Sequence, residues 1–419
     1  MTTGSTQAAP GRRLRSRPFL LLAALGPGVI AASAGNEAGG IVTYASAGSQ
    51  FTYEMLFVMV LVTVGLVVVQ EMSARLGAHT GAGLVALIRE QFPLRAAAFA
   101  VGCLVVANLG LVVSEFAGVG AAFEIFGVSR HLSIPLAALG VWAAVALGSY
   151  RYVERVMLAL TLAFLAYPIA AILGHPKWST VVSHTLLPHF TASRAFVFMV
   201  VALIGTTITP YMQLYQAAAV VDRGSGADDY AATKVDSIVG SVSANLISMS
   251  IIVATGAAIG GSGVLTSAEQ AASALRPAAG DGASTLFAIG LLGASILAAA
   301  VVPLSTAYAL SEAVGVERSV SRSFREAPLF GSLFTAQIVI GAGVALAPGN
   351  LVGLLLDMQV LNGVITPIVL IFILILANRR SLLGAAANSP RFRAVATVCV
   401  GVTAGMALLV VGQTVMSWL

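Results

Sequence analysis

Eleven long apolar runs follow one another along this 419-residue chain, and they constrain its fold more than any other feature. They fall near residues 19–46, 54–76, 96–125, 131–150, 155–174, 195–222, 236–260, 282–314, 329–347, 350–377 and 391–417. Each is long enough to cross the ~30 Å hydrocarbon layer of a bilayer as a helix rising 1.5 Å per residue. Inside a bilayer every backbone polar group must be satisfied within the protein, which leaves helices as the reading of runs this long. Composition agrees: 58% of residues are hydrophobic, 9% are charged and the mean hydropathy is +0.94, so lipid is the principal solvent. The expectation is a tail over residues 1–18 and a single transmembrane domain over 19–419.

The net charge of +5 and a pI near 9.5 do not point to nucleic acid, because the basic residues sit in short stretches between apolar runs. With the N-terminus on the cytoplasmic side, only Arg130, Lys177, Arg194 and Arg276 of the 22 Lys and Arg fall outside the cell. The other eighteen are cytoplasmic, the asymmetry that the positive-inside rule describes, and an odd number of spans leaves the C-terminus external. The expected location is the plasma (inner) membrane. Arg12, Arg13, Arg15 and Arg17 before the first run imitate a secretory signal, but Gly26-Pro27-Gly28 interrupts that run and ten more follow. Cys103 and Cys399 both lie in apolar runs and read as buried hydrophobes. No Gly-x-x-x-x-Gly-Lys-[Ser/Thr] signature is present, so neither nucleotide nor nucleic acid is an expected partner, and no enzymatic activity is expected.

Five spans, five more and one extra suggest inverted repeats over about 19–174 and 195–377, followed by a helix over about 391–417. In such folds the first helix of each repeat is interrupted near the midplane and the interruption builds the substrate site. Both positions carry helix breakers: Gly35, Gly39 and Gly40 within Gly35-Asn36-Glu37-Ala38-Gly39-Gly40, and Pro210 within Gly205-Thr206-Thr207-Ile208-Thr209-Pro210-Tyr211.

Ionisable residues inside the runs are few. Glu37 lies in the first interruption, where a carboxylate needs a cation, a proton or a basic partner. Asn36, Thr206 and Thr209, with carbonyls freed at the breaks, could add the oxygen ligands favoured by hard cations. Glu115 in the third run could relay protons or pair with an arginine. Asp236 and Glu312 read as helix-end residues, and Asp357 and Gln359 as polar positions facing the interior of the bundle. All five histidines (His79, His131, His175, His184 and His189) fall in expected connections, and the last three read as part of a solvated loop.

Taken together, these segments resemble the Nramp family of divalent-metal transporters, which have the LeuT-type fold. The resemblance is carried by Gly26 to Gly48, by Gln70-Glu71-Met72-Ser73-Ala74-Arg75-Leu76-Gly77, and by Ser114-Glu115-Phe116-Ala117-Gly118. Lys234 to Leu246, Pro303 to Gly315 and Gln359-Val360-Leu361-Asn362-Gly363 extend it over nearly the whole chain. It implies an all-α membrane protein with two inverted five-helix repeats plus an eleventh transmembrane helix. The departures fall on the site. The family's Asp-Pro-Gly-Asn is here Glu37-Ala38-Gly39-Gly40, and its Met-Pro-His is Thr209-Pro210-Tyr211. Its second histidine in that helix is Gln216, and its acidic residue three before the glutamate is Val112. Sulfur and imidazole ligands are lost while hard oxygens remain.

The expectation is therefore alternating-access secondary transport of a divalent cation, Mg²⁺ or Mn²⁺, without strict proton coupling. Glu37, Asn36, Gly40, Thr206, Thr209, Tyr211, Tyr215 and Gln359 would line the site, with Glu115 as a proton relay. No resident cofactor is expected, since the cation is cargo, and the remaining partner is the lipid bilayer. A small organic solute, a carboxylate or amino acid held by Tyr211, Tyr215 and Gln213, is the alternative. The charge asymmetry predicts that Ser417→Cys, in a background lacking Cys103 and Cys399, reacts with an impermeant maleimide in intact cells. Reaction only after permeabilisation would overturn the eleven-span topology.

Overall fold

The computed structural model describes residues 37–146, 162–191, 193–222, 226–227, 230–314, 328–347 and 349–416. Among them the chain is helical throughout, with no strand. The N-terminal tail, Gly26-Pro27-Gly28, Gly35, Asn36, Arg151 and Arg155 lie outside the described residues, as does the side chain of Glu312.

The principal helices are α1 (Ala38–Phe51), α2 (Met55–Thr80), α3 (Leu84–Gln91), α4 (Leu94–Glu124), α5 (Arg130–Ala146), α6 (Ala166–Leu173) and α7 (Trp178–Leu186). They continue as α8 (Arg194–Thr207), α9 (Pro210–Asp222), α10 (Tyr230–Ile259), α11 (Ala283–Val314), α12 (Pro328–Ala345), α13 (Leu351–Asn378) and α14 (Pro390–Met416). With α8 and α9 taken together, eight helical stretches among the described residues are long and apolar enough to cross a membrane. The first, fourth and fifth expected spans are described only in part, as α1, α5 and α6 with the 3₁₀ turn before it.

Long α4 forms the spine of the bundle, with α13, α11 and α12 packed along it, while α10 embraces α1 and α2. Small residues allow the closest crossings, because in lipid helices associate through packing and hydrogen bonding rather than through expulsion of water. At Gly205 of α8 and Gly363 of α13 the two backbones meet. A side chain at Gly205 would overlap the Gln359 carbonyl and the Gly363 backbone, and one at Gly363 would overlap the Val201 carbonyl. The buried polar contacts Asn245 Nδ2–Thr63 Oγ1 (2.8 Å) and Asn108 Nδ2–Thr306 Oγ1 (2.7 Å) bind α10 to α2 and α4 to α11.

Turns alternate between two ends of the bundle. At one end the Gly261 amide bonds to the Ser49 carbonyl at 2.8 Å, and Arg130 reaches the Gly349 carbonyl at 2.8 Å. His184 and His189 stack there with ring centroids 3.9 Å apart. His184 lies in α7, so the segment read as a solvated loop carries a helix. His79, also placed in a connection by the sequence, sits in the last turn of α2 with its ring against Tyr230.

The opposite end is arginine-rich and tightly knit. Arg75 forms an ion pair with Glu71 at 3.0 Å, and both side chains are buried. Arg75 also donates to the Ala386 carbonyl at 2.9 Å and to Asn388 Oδ1, lies over the Phe392 ring, and shares Glu71 with the Tyr230 hydroxyl. Nearby, Arg379 donates to the Gln91 carbonyl at 2.7 Å and covers the Phe92 ring. One arginine thus clasps α2, the start of α10 and the α13–α14 connection. Arg75→Ala strands a buried carboxylate and is expected to destabilise the ligand-free protein by about 3–5 kcal/mol. Adding Glu71→Gln should recover part of that loss, since the two changes are coupled. Thermal unfolding of the two variants in detergent measures both effects.

Candidate cation site at two helix breaks

The second break lies where the sequence places it. Helix α8 ends at Thr207, Ile208 has φ −111° and ψ 56°, and α9 restarts at Pro210, whose fixed φ suits a first helical position. The last carbonyls of a helix lack internal partners. Here α13 supplies them: Asn362 Nδ2 donates to the Gly205 carbonyl at 2.8 Å, and Thr366 Oγ1 lies 3.3 Å from the Ile208 carbonyl.

Helix α1 starts just after Glu37, whose extended backbone (φ −67°, ψ 163°) caps it without a side-chain hydrogen bond. Its carbonyl accepts the first intrahelical bond, from the Ile41 amide at 3.1 Å. Gly39 and Gly40, read from the sequence as break residues, lie instead within the first turn of α1. Their small size serves close approach, since a side chain at Gly39 would overlap the Gln359 amide and the Ser114 hydroxyl.

Between the start of α1 and the α8–α9 break lies a cluster of buried oxygen atoms. Glu37 is 1% exposed, and Glu115, Thr206, Thr209 and Gln359 are fully buried. Both Glu37 carboxylate oxygens, Glu115 Oε1, Thr206 Oγ1, Thr209 Oγ1 and Gln359 Oε1 have no hydrogen-bond partner. The Gln359 side chain and the Thr206 hydroxyl face Glu37 but stop short of hydrogen-bond geometry. Gln359 Nε2 leans on Ser114 Oγ at 3.4 Å, and Tyr44 holds Thr207 at 3.0 Å. Buried polar atoms are ordinarily paired, and a concentration of unpaired oxygens around a carboxylate is costly unless something positive is received there.

Among the described residues no three His, Cys, Asp or Glu side chains come together. A cation here would therefore rest on one or two carboxylates and neutral oxygens, a donor set suited to hard ions. Tyr211 is buried in the first turn of α9, directly after Pro210. Tyr215, expected to line the site, is 36% exposed one turn further along α9 and does not join the cluster. Asp357, expected to face the bundle interior, is exposed, because two positions along a helix separate it from buried Gln359 by about 200° of rotation. Asp236 is partly buried near the start of α10, away from the cluster.

Sequence reasoning named Gln359 but missed the supports beside it, Asn362 and Thr366. Gln359, Asn362 and Thr366 recur at i, i+3 and i+7, a polar stripe on an otherwise apolar helix, and that spacing alone marks one face of α13 turned to the interior. Ser114 and Tyr44 carry no comparable signal.

A helix interrupted at Ile208–Thr209 and a second helix starting at a buried carboxylate, inside a bundle of membrane-length helices, define the class of helical membrane carriers. The chain belongs to the Natural resistance-associated macrophage protein-like family (Nramp), whose model matches residues 28–413. It is 27% identical over 419 aligned residues to the divalent metal cation transporter MntH of Aeromonas hydrophila, covering 97% of this chain and 98% of that one. It superposes on a variant of the manganese transporter of Eremococcus coleocola with a TM-score of 0.78 at 18% identity, covering 99% of this chain and 90% of the other. MhsT in complex with L-phenylalanine superposes with a TM-score of 0.60 at 15% identity, covering 92% and 97%. The fold is thus the LeuT type, two inverted five-helix repeats with an eleventh helix, as the sequence led one to expect.

The support given by α13 predicts the consequence of removing it. Asn362→Leu, close in volume, leaves the Gly205 carbonyl buried without a donor and should lower stability by about 1–3 kcal/mol. Thermal unfolding compared with an exposed control such as Asp357→Asn checks it.

Proposed function

We propose that the chain is a secondary transporter of a divalent metal cation, with Mg²⁺ or Mn²⁺ as its cargo. The observation that carries this reading is the set of unpartnered buried oxygens gathered around Glu37 at the start of α1 and the α8–α9 break. Relatives named as divalent metal cation transporters, aligned over nearly the whole chain, support it. Glu37 is the principal ligand, and Thr206, Thr209 and Gln359 contribute neutral oxygens. Asn36 and Gly35, outside the described residues, adjoin Glu37 in the chain and are proposed to complete that side. Among the described residues no thioether or imidazole lies in the cluster, which favours a hard cation over a soft one.

Alternating access follows from the architecture: a site at the interface of two repeats is exposed in turn to either side as one bundle rocks against the other. The proposed orientation has a cytoplasmic N-terminus and an external C-terminus in the plasma membrane, which puts the Arg75 clasp at the cytoplasmic end. Residues 1–18 form the tail and 19–419 the transport domain. Uptake is proposed to proceed without obligatory proton movement. Among the described residues no histidine lies near the cluster, and position 112 is a buried valine.

Proteoliposomes holding a divalent-sensitive dye and a pH dye test both parts. Imposed Mn²⁺ or Mg²⁺ gradients should give uptake without internal acidification, and Glu37→Gln should reduce uptake to the level of empty vesicles. Uptake unaffected by Glu37→Gln would remove Glu37 from the site. Acidification in step with uptake would establish proton coupling instead.

A further inference from the structure

Glu115 occupies a place that a helix cap alone does not account for. Its Oε2 accepts the Ala38 amide at 3.3 Å, the peptide directly after Glu37, so its carboxylate sits against the backbone that carries the principal ligand. Close packing brings it there. One turn along α4, a side chain at Gly118 would overlap Ala38 Cβ and Ser295 Oγ, so α4 lies flush against the start of α1. Gly39 does the same from the other side, against Ser114 and Gln359.

Only one of its oxygens is used. Oε1 is fully buried and has no partner, and the Ala38 amide that holds Oε2 is next in the chain to Glu37. Among the described residues no Lys, Arg or His pairs with either carboxylate, the ion pairs being Arg75–Glu71 and Arg130–Glu124. A cap needs only the oxygen that faces the amide. Two carboxylates facing each other in a low-dielectric interior repel strongly, and a divalent cation between them cancels both charges.

We propose, building on the cation reading above, that Glu115 is the second carboxylate ligand of the transported ion, so that Glu37 and Glu115 close on it together. The two carboxylates, the Gln359 amide oxygen and the hydroxyls of Thr206 and Thr209 then supply five oxygen donors. A sixth position is left for water or a freed carbonyl, the number and kind of ligands that hard divalent ions take. The matched charge explains selection of divalent over monovalent ions: a single positive charge leaves one buried carboxylate uncompensated. It also gives the Ala38 amide a positioning part, since that donor holds Oε2 while Oε1 turns to the ion.

Equilibrium binding of Mn²⁺ to the purified full-length protein in detergent, read by electron paramagnetic resonance of free Mn²⁺, tests this. Glu115→Gln keeps an oxygen for the Ala38 amide and removes the charge. It is expected to weaken Mn²⁺ binding at least about tenfold, with the ligand-free melting temperature little changed. The same variant should narrow the preference for Mn²⁺ over Na⁺ in competition. Wild-type affinity in Glu115→Gln would overturn the assignment and leave a cap or a relay. Should Glu115→Gln fail to fold, Glu115→Asp keeps the charge but withdraws it by one methylene, and wild-type affinity there overturns the assignment equally. Absence of Mn²⁺ binding by the unaltered protein would instead overturn the cation reading, and this inference with it.

Discussion

A helix that stops inside a bilayer frees carbonyl and amide groups that lipid cannot satisfy, and the rest of this structure is organised around meeting that demand. At the α8–α9 break the donors come from Asn362 and Thr366 of α13. At the start of α1 the acceptor comes from Glu115 of α4. Both donors and acceptor must stand within hydrogen-bond reach, so α13 and α4 are drawn to contact distance against the broken helices. Gly39, Gly118, Gly205 and Gly363 are the positions where that contact leaves no room for a side chain.

The backbone groups at the breaks are answered, while several side-chain oxygens beside them are not. That contrast separates scaffold from site. Asn362, Thr366 and Ser114 are spent on holding neighbours, and Glu37, Thr206, Thr209 and Gln359 Oε1 remain available. Unpaired buried oxygens around a carboxylate oppose folding unless a positive charge visits the cluster. The protein tolerates this because the surrounding helices over-determine the geometry.

The two ends of the bundle differ in the same spirit. At the arginine-rich end, Arg75 gathers α2, α10 and the α13–α14 connection into one charged knot. At the other end, turns are joined by backbone bonds and by the stacked His184 and His189 rings.

Much of this was legible in the chain. Eleven apolar runs, the distribution of arginines, the Pro210 break and the isolation of Glu37 in an apolar stretch follow from residue type and spacing, because lipid imposes one length and one polarity on every span. The polar stripe Gln359, Asn362 and Thr366 was also visible as a helical period. Other features were not. Gly39 and Gly40 read as breakers yet are helical, since a glycine chosen for close packing and one chosen for unwinding look alike in sequence. Tyr215 and Asp357 read as inward yet face outward, because the phase of a helix apolar on nearly all sides is set only by its neighbours. The sequence by itself determined a bundle of membrane helices with a break at Pro210 and a carboxylate isolated in its first apolar run. Tertiary structure alone decided that Glu115, seventy-eight residues from Glu37, stands at the same helix start, because that pairing depends on how tightly two helices cross and no local pattern encodes it.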